Sequence, residues 1–168
     1  MLKVNRWMCI LAVVLSAACT QPFPDETKET PGPIKLRVTR QYRTGNEYYL
    51  FDSLDPRTRE WRRVFQVWRD ATGKMPDAQN LRSITTQVAY MYLVDQAAIT
   101  HDAGANWTVF NASKYFNCGW EGCAVIVDVK LAPMGEGSLS GSRRSGKEWL
   151  DFTLITNDFG RTWRASPK

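Results

Sequence analysis

An all-β domain is the fold this sequence predicts, and three observations predict it. From Ile34 onward the chain breaks into short runs rich in Val, Ile, Thr and Tyr, with partial alternation and turn residues between them, which is the pattern of strands. A Thr-x-Asp-x-Gly-x-x-Trp unit occurs twice, beginning at Thr100 and again at Thr156, each time directly after an apolar run. Cys118 and Cys123 stand close together in CGWEGC, and in an oxidising compartment such a pair closes a small loop.

The compartment is read from the front of the chain. Lys3 and Arg6 precede an apolar run from Trp7 to Leu15, followed by Ser16, Ala17 and Ala18 ahead of Cys19. That is the three-part layout of a secretory leader, with an apolar run too short to stand as a permanent membrane span. Cys9 leaves with the leader. Small residues immediately before a cysteine resemble the lipobox of bacterial lipoproteins, although Leu15 sits four places before Cys19 where that family has leucine three before. The resemblance implies cleavage after residue 18, lipidation of Cys19 and, since Thr20 and not Asp follows, anchorage to the outer membrane facing the periplasm. Ordinary secretion with an incidental Cys19 is the alternative. The expected division is 1–18 leader, 19–33 lipidated cysteine and tether, and 34–168 a single domain. The tether assignment rests on TQPFPDETKETPGP, with four prolines and little apolar content. Losing Lys3 and Arg6 removes two of the five net positive charges, and the excess left is too small to point to nucleic acid.

The strand candidates follow in order: KLRVTRQY from Lys35, EYYLFD from Glu47, QVAYMYLV from Gln87, AAIT from Ala97, WTVF from Trp107, AVIVDVKL from Ala124 and DFTLIT from Asp151. One segment reads two ways. DPRTREWRRVFQVWRDATG, residues 55–73, fits a helix capped by Asp55 with Pro56 in its first turn, apolar residues at 61, 64, 65 and 68, and a stop at Gly73. It also fits a turn at Asp55 to Arg59 leading into a strand from Glu60 to Trp68 that pairs back on EYYLFD. The β-branched and aromatic content of RRVFQVW favours the hairpin.

In the repeated unit each position has a mechanical role. Asp102 or Asp158, just after a strand, can accept hydrogen bonds from N–H groups of the following turn, and Gly104 or Gly160 can supply a positive φ. Trp107 or Trp163 opens the return strand, where burying its ring contributes about 2–3 kcal/mol. Thr100 and Thr156 head the two copies. This pattern resembles the Asp-box, or BNR repeat, of sialidases and many β-propellers, where it closes the turn between adjacent strands of a blade. The resemblance implies two or three propeller-blade-like antiparallel units, packed as a compact sandwich or partial propeller. A complete propeller needs more chain than this at one blade per repeat of 56 residues. It also implies that the boxed residues are structural, because the box lies away from the catalytic centre in those families. A calcium loop is not expected, since the alternating Asp/Asn ligands and closing Glu are missing.

Motifs that carry chemistry are scarce. GSLSG from Gly137 centres on Leu139 and is no nucleophile elbow, and GEGSLS from Gly135 lacks the third glycine of a dinucleotide fingerprint. His101 is the sole histidine. No metal, cofactor or catalytic residue is expected, and the chain is read as a non-enzyme. Two loops suggest contact instead. CGWEGC would hold Trp120 and Glu121 rigidly, and GEGSLSGSRRSGKE from Gly135 to Glu148, with Arg143 and Arg144, reads as a flexible basic insertion between strands. Trp120 as a lid on the core and the insertion as plain solvated loop are the blander possibilities.

A lipobox, a Pro-rich tether, EYYLFDSLDPRTREWRRV, a CG-x-x-GC loop running into CAVIVDVKL and an Asp-box near the end together resemble the immunity lipoproteins that accompany type VI secretion lipase effectors. Two boxes where that family leads one to expect one is a departure. The resemblance implies a periplasmic inhibitor that binds a cognate lipase or phospholipase toxin without turnover and meets the membrane through its anchor alone; the two loops offer Trp120, Glu121, Arg143 and Arg144 as candidate contacts. A glycan- or envelope-binding module is the alternative, with exposed aromatics of the boxes stacking on sugars.

Overall fold

A computed structural model describes residues 25–43, 46–69, 75–118 and 123–167. It is almost entirely β, arranged as three four-stranded antiparallel sheets, each an up-and-down meander in chain order. The first holds β1 (Glu26–Thr30), β2 (Leu36–Arg43), β3 (Asn46–Leu54) and β4 (Trp61–Arg69). The second holds β5 (Leu81–Ser83), β6 (Ala89–Leu93), β7 (Gln96–Thr100) and β8 (Thr108–Asn111). The third holds β9 (Ala124–Leu131), β10 (Gly137–Ser145), β11 (Glu148–Thr156) and β12 (Arg164–Ala165). A single turn of helix, α1 (Ala112–Tyr115), links the second sheet to the third, its first turn closed by the Asn111 side chain accepting from the Lys114 N–H.

The second sheet is the middle layer. AYMYL of β6 is buried at every position, as a strand covered on both faces must be. Ala89, Met91 and Leu93 join Leu36, Val38, Tyr49, Phe51, Phe65 and Val67 of the first sheet in one core. Tyr90 and Tyr92, one register step away, join Ile99, Ile126, Val129, Leu131, Leu139 and Leu154 in a second core shared with the third sheet. Period two explains the division, because successive side chains of a strand leave by opposite faces. Neither core contains residues of both the first and the third sheet, so the layers stack in chain order around two separate interiors.

The segment 55–73 is resolved in favour of the hairpin: β4 pairs along β3, and the helical alternative does not form. Phe65 and Val67 point into the core while Gln66 and Trp68 point out, and the Phe51 and Phe65 rings stack at 4.4 Å, a pairing worth about 1 kcal/mol beyond burial. Two assignments are corrected. Glu26–Thr30, inside the stretch expected to be tether, is the edge strand of the first sheet, joined to β2 by the Thr27 and Thr39 hydroxyls at 3.1 Å and by an ion pair between Glu26 and Arg40. Its alternating Thr and charge suit an edge exposed on one side, and that polarity hid it among the prolines. The supposed flexible insertion from Gly135 to Glu148 is largely β10, which pairs with both β9 and β11. Its glycines and serines follow a strand pattern: Leu139 faces the core, Ser138, Ser140 and Ser142 lie on the other face, and Gly141 leaves space for a neighbour. A Cβ at Gly141 would lie 2.0 Å from the Val125 carbonyl oxygen and 2.9 Å from the Phe152 ring.

Because a backbone atom blocks that position, Gly141→Ala is expected to destabilise the fold by about 2–3 kcal/mol. Gly146→Ala, at a hairpin tip with φ 62° and nothing within 4 Å of the added carbon, should cost about 1 kcal/mol from backbone conformation alone. Urea unfolding of the two variants checks the contrast, and equal losses would contradict the packing role given to Gly141.

Candidate functional site

The repeated unit falls at the same place in two sheets, between the third and fourth strands. In the second sheet Thr100 ends β7 fully buried, and its hydroxyl donates to Asp102 Oδ1 at 2.9 Å while accepting the Gly104 N–H at 3.0 Å. Asp102 takes the Asn106 N–H on Oδ1 at 2.8 Å and the Asn106 side-chain amide on Oδ2 at 2.7 Å. In the third sheet Thr156 donates to Asp158 Oδ1 at 2.7 Å and accepts the Gly160 N–H at 2.8 Å, and Asp158 takes the Thr162 N–H at 2.9 Å and hydroxyl at 2.6 Å. The turns have two successive positive φ values, 60° and 92° at Ala103 and Gly104, 60° and 79° at Phe159 and Gly160, the backbone of a type I′ hairpin turn. The glycine conformation was legible in the sequence; the matching strain at Ala103 and Phe159 was not, since neither residue type advertises it. That strain, about 1 kcal/mol at each non-glycine position, is offset by the threonine–aspartate clasp.

The boxed tryptophans are half-buried and lie against the cores. Trp107 packs on the core between the first and second sheets and Trp163 on the core between the second and third, so each ring points toward the preceding sheet and neither offers an open stacking platform. The glycines point the same way. A Cβ on Gly104 would meet Ser53 Oγ at 2.8 Å, and one on Gly160 would meet Ile99 Cδ1 at 2.4 Å, so each box seats its turn directly on the sheet before it.

A third, incomplete copy of the box appears in the first sheet, where the sequence offers Ile34 to Trp68 as a degenerate third unit without showing its box. Ser53, Asp55 and Trp61 take the places of Thr, Asp and Trp around the turn between β3 and β4. That turn is one residue longer and has Pro56 but no glycine. Asp55 accepts the N–H groups of Arg57 at 2.8 Å and Thr58 at 3.1 Å and pairs with Arg62 Nη1 at 2.8 Å. The signal that could have found it is Ser-x-Asp followed by Trp after a strand, with one residue inserted.

Electrostatics follow from these bonds. Donation from the Thr162 hydroxyl and N–H and from Thr156 holds the Asp158 carboxyl far below the ordinary carboxylate range. Burial pushes Asp102 upward, but the hydrogen bonds from Asn106 and Thr100 together outweigh it and the net shift is down. The Thr58 and Arg57 N–H groups lower Asp55. His101 lies between the two complete boxes, its ring 6.2 Å from that of Phe159, with both ring nitrogens buried and without a hydrogen-bond partner among the described residues. Burial, then the charge of Arg161, lowers its pKa, against the opposing pull of Asp102 and Asp158.

The other candidates lie at the opposite end of the sheets from the boxes. Cys118 and Cys123 form a disulfide with Cα atoms 6.0 Å apart. Trp120 and Glu121, inside that loop, lie outside the described residues, as do Cys19 and the leader. Arg143 and Arg144 are brought together near the tip of the β10–β11 hairpin. The Arg143 guanidinium sits 5.2 Å over the Phe116 ring, Arg144 Nε donates to the Gly146 carbonyl at 3.1 Å, and the Arg144 N–H donates to the Cys123 carbonyl at 2.7 Å, joining the hairpin to the cystine loop. Trp149 and Leu150, 51% and 41% exposed on the same hairpin, were missed in the sequence because they precede the recognisable run DFTLIT. Among the described residues no group of three or more His, Cys, Asp or Glu side chains is placed to hold a metal ion, and no helix is long and apolar enough to cross a membrane.

No protein-family model matches the chain, and neither a curated protein nor a solved structure matches it.

Two predictions test the boxes. Asp158→Ala removes the acceptor of three hydrogen bonds and should cost about 1–2 kcal/mol in chemical unfolding, with Asp102→Ala similar; no loss would show the clasps to be idle. The pH dependence has two parts. The lowered aspartates contribute stability above the unfolded carboxylate value near 4, lost as pH falls through their folded values. His101, kept neutral by the fold, contributes above about 6.5, and its contribution fades as pH drops below that value. Thermal melts should show a decline between pH 7 and 5 that His101→Gln flattens, and an unchanged decline would overturn the role given to His101.

Proposed function

We propose that the chain is a partial propeller of three blade-like units, closed at neither end, whose work is binding and not turnover. In this reading it is a periplasmic immunity lipoprotein, held through Cys19, that neutralises a type VI secretion phospholipase or lipase by stoichiometric contact. The observation that carries the reading is the β10–β11 hairpin. It projects a large apolar side chain on each of its faces, Leu150 paired with Arg143 on one and Trp149 with Arg144 on the other, and both arginines are already held by other contacts in the domain. A projecting hairpin with a large apolar side chain beside a held cation on each face is the form of an interface anchor that a partner can grip from both sides, since tryptophan and arginine dominate binding hot spots and groups fixed beforehand lose little entropy on association. The first residues of β1 emerge at the end of the stack that carries this hairpin, because all three box turns cluster at the other end.

The test is direct. The neighbouring gene is expected to encode a lipase-like toxin, and that enzyme, co-expressed with this protein, should co-purify with it and lose activity at one equivalent. Replacing Trp149 and Leu150 by Ser should weaken the complex at least about tenfold while leaving thermal unfolding unchanged. An enzyme that stays fully active with excess protein, or a complex indifferent to the double substitution, would contradict the reading.

A further inference from the structure

Among the described residues no other sheet covers one face of the first sheet, and that face is built differently from the two apolar interiors. At its centre Asp52 is 3% exposed, and a carboxylate so buried is stable only with charged partners. Its two oxygens take Arg37 Nε at 2.9 Å and Arg63 Nε at 2.5 Å. Arg37 is fixed a second time, its guanidinium 4.3 Å over the Trp61 ring.

A guanidinium has two edges that can bind a carboxylate, one through Nε and one through the terminal pair. Asp52 occupies the Nε side of both arginines, and among the described residues no hydrogen bond engages their terminal nitrogens. Arg63 also lines a shallow depression of ≈ 480 Å³ on this face, together with Gln41, Arg43, Tyr48, Leu50 and Gln66. Trp68, opposite Tyr48 in the strand register, is 54% exposed beside it.

We propose that this depression binds a carboxylated sugar residue, of the uronic-acid kind. The acid would sit on the terminal edge of Arg63, a bidentate charge-assisted contact. The apolar face of the sugar ring would lie on Tyr48 and Leu50, and Gln41 and Gln66 would meet its hydroxyls with groups that both donate and accept. A bare inorganic anion would leave the aromatic ring and the amides without a task, and an acidic peptide side chain would bring no hydroxyls to them. This site lies on the first sheet, away from the β10–β11 hairpin of the third, and does not rest on the inhibitor reading.

The experiment titrates the full chain, in detergent micelles, with glucuronate oligomers, and in parallel with glucose oligomers and with hexaglutamate, by calorimetry. Expected is saturable binding of the glucuronate oligomers with a Kd of about 1 mM or tighter, with binding of the other two at least tenfold weaker. Arg63→Gln should weaken the binding tenfold or more. Since that change leaves Asp52 with one partner fewer, Gln66→Ala, at an exposed side chain, provides a second variant that keeps the fold and should weaken binding several-fold. No binding of glucuronate, equal binding of the neutral sugar, hexaglutamate binding as tightly, or Gln66→Ala binding like the parent protein would each overturn the proposal.

Discussion

The clasp between a buried threonine hydroxyl and the aspartate two residues on is the interaction from which the rest of the structure follows. Thr100 and Thr156 each tie an aspartate on one side and a glycine N–H on the other, and this holds two consecutive residues in the left-handed region. The turn so formed is compact enough to sit against the sheet before it, Gly104 on Ser53 and Gly160 on Ile99. It also aims Trp107 and Trp163 into the two cores. A local hydrogen-bond pattern therefore sets the stacking of sheet on sheet, and the chain builds its interior by repeating one joint.

The first sheet shows what that joint becomes with nothing to stack against. Trp61 occupies the place of Trp107 and Trp163, but the face it points to is uncovered, and Arg37 covers its ring in place of a neighbouring sheet. Asp52, Arg37 and Arg63 continue this polar cover. On the far side of the stack, β10 presents Ser138, Ser140 and Ser142, and Ser142 bonds Asp151 at 2.8 Å. Terminal units with polar outer faces are how a repeated architecture stops adding layers. Three sheets thus enclose two apolar interiors between two polar outer faces, and those faces are free to carry different binding surfaces.

Much of this was legible in the residues. Runs of Val, Ile, Thr and Tyr place seven strands, AVIVDVKL to the residue, and the boxes place the joints. What stayed hidden had a physical cause in each case. β1 is polar because an edge strand must be, and β10 is rich in Gly and Ser because its neighbours approach to backbone contact, so composition made both look like loop. Arg37, Asp52 and Arg63 lie on three different strands, and the register that sets them side by side depends on a bulge between Phe51 and Asp52 that no local pattern announces. The contact residues suggested by composition were half of the candidate surface: Arg143 and Arg144 are on the projecting hairpin, but each is paired with an apolar residue of β11, Leu150 and Trp149, on opposite faces.

A scaffold whose ordering contacts lie in its joints leaves its surfaces free for recognition, and each proposed surface includes arginines held before any partner arrives. All of it depends on the clasps being integral to the fold. Native-state amide hydrogen exchange at Gly104 and Gly160 measures that directly, because both N–H groups lie in turns and are held only by a threonine oxygen. If the clasps organise the stack, these amides exchange only on global unfolding, as slowly as those of β6. Exchange at the rate of an ordinary exposed turn would contradict it.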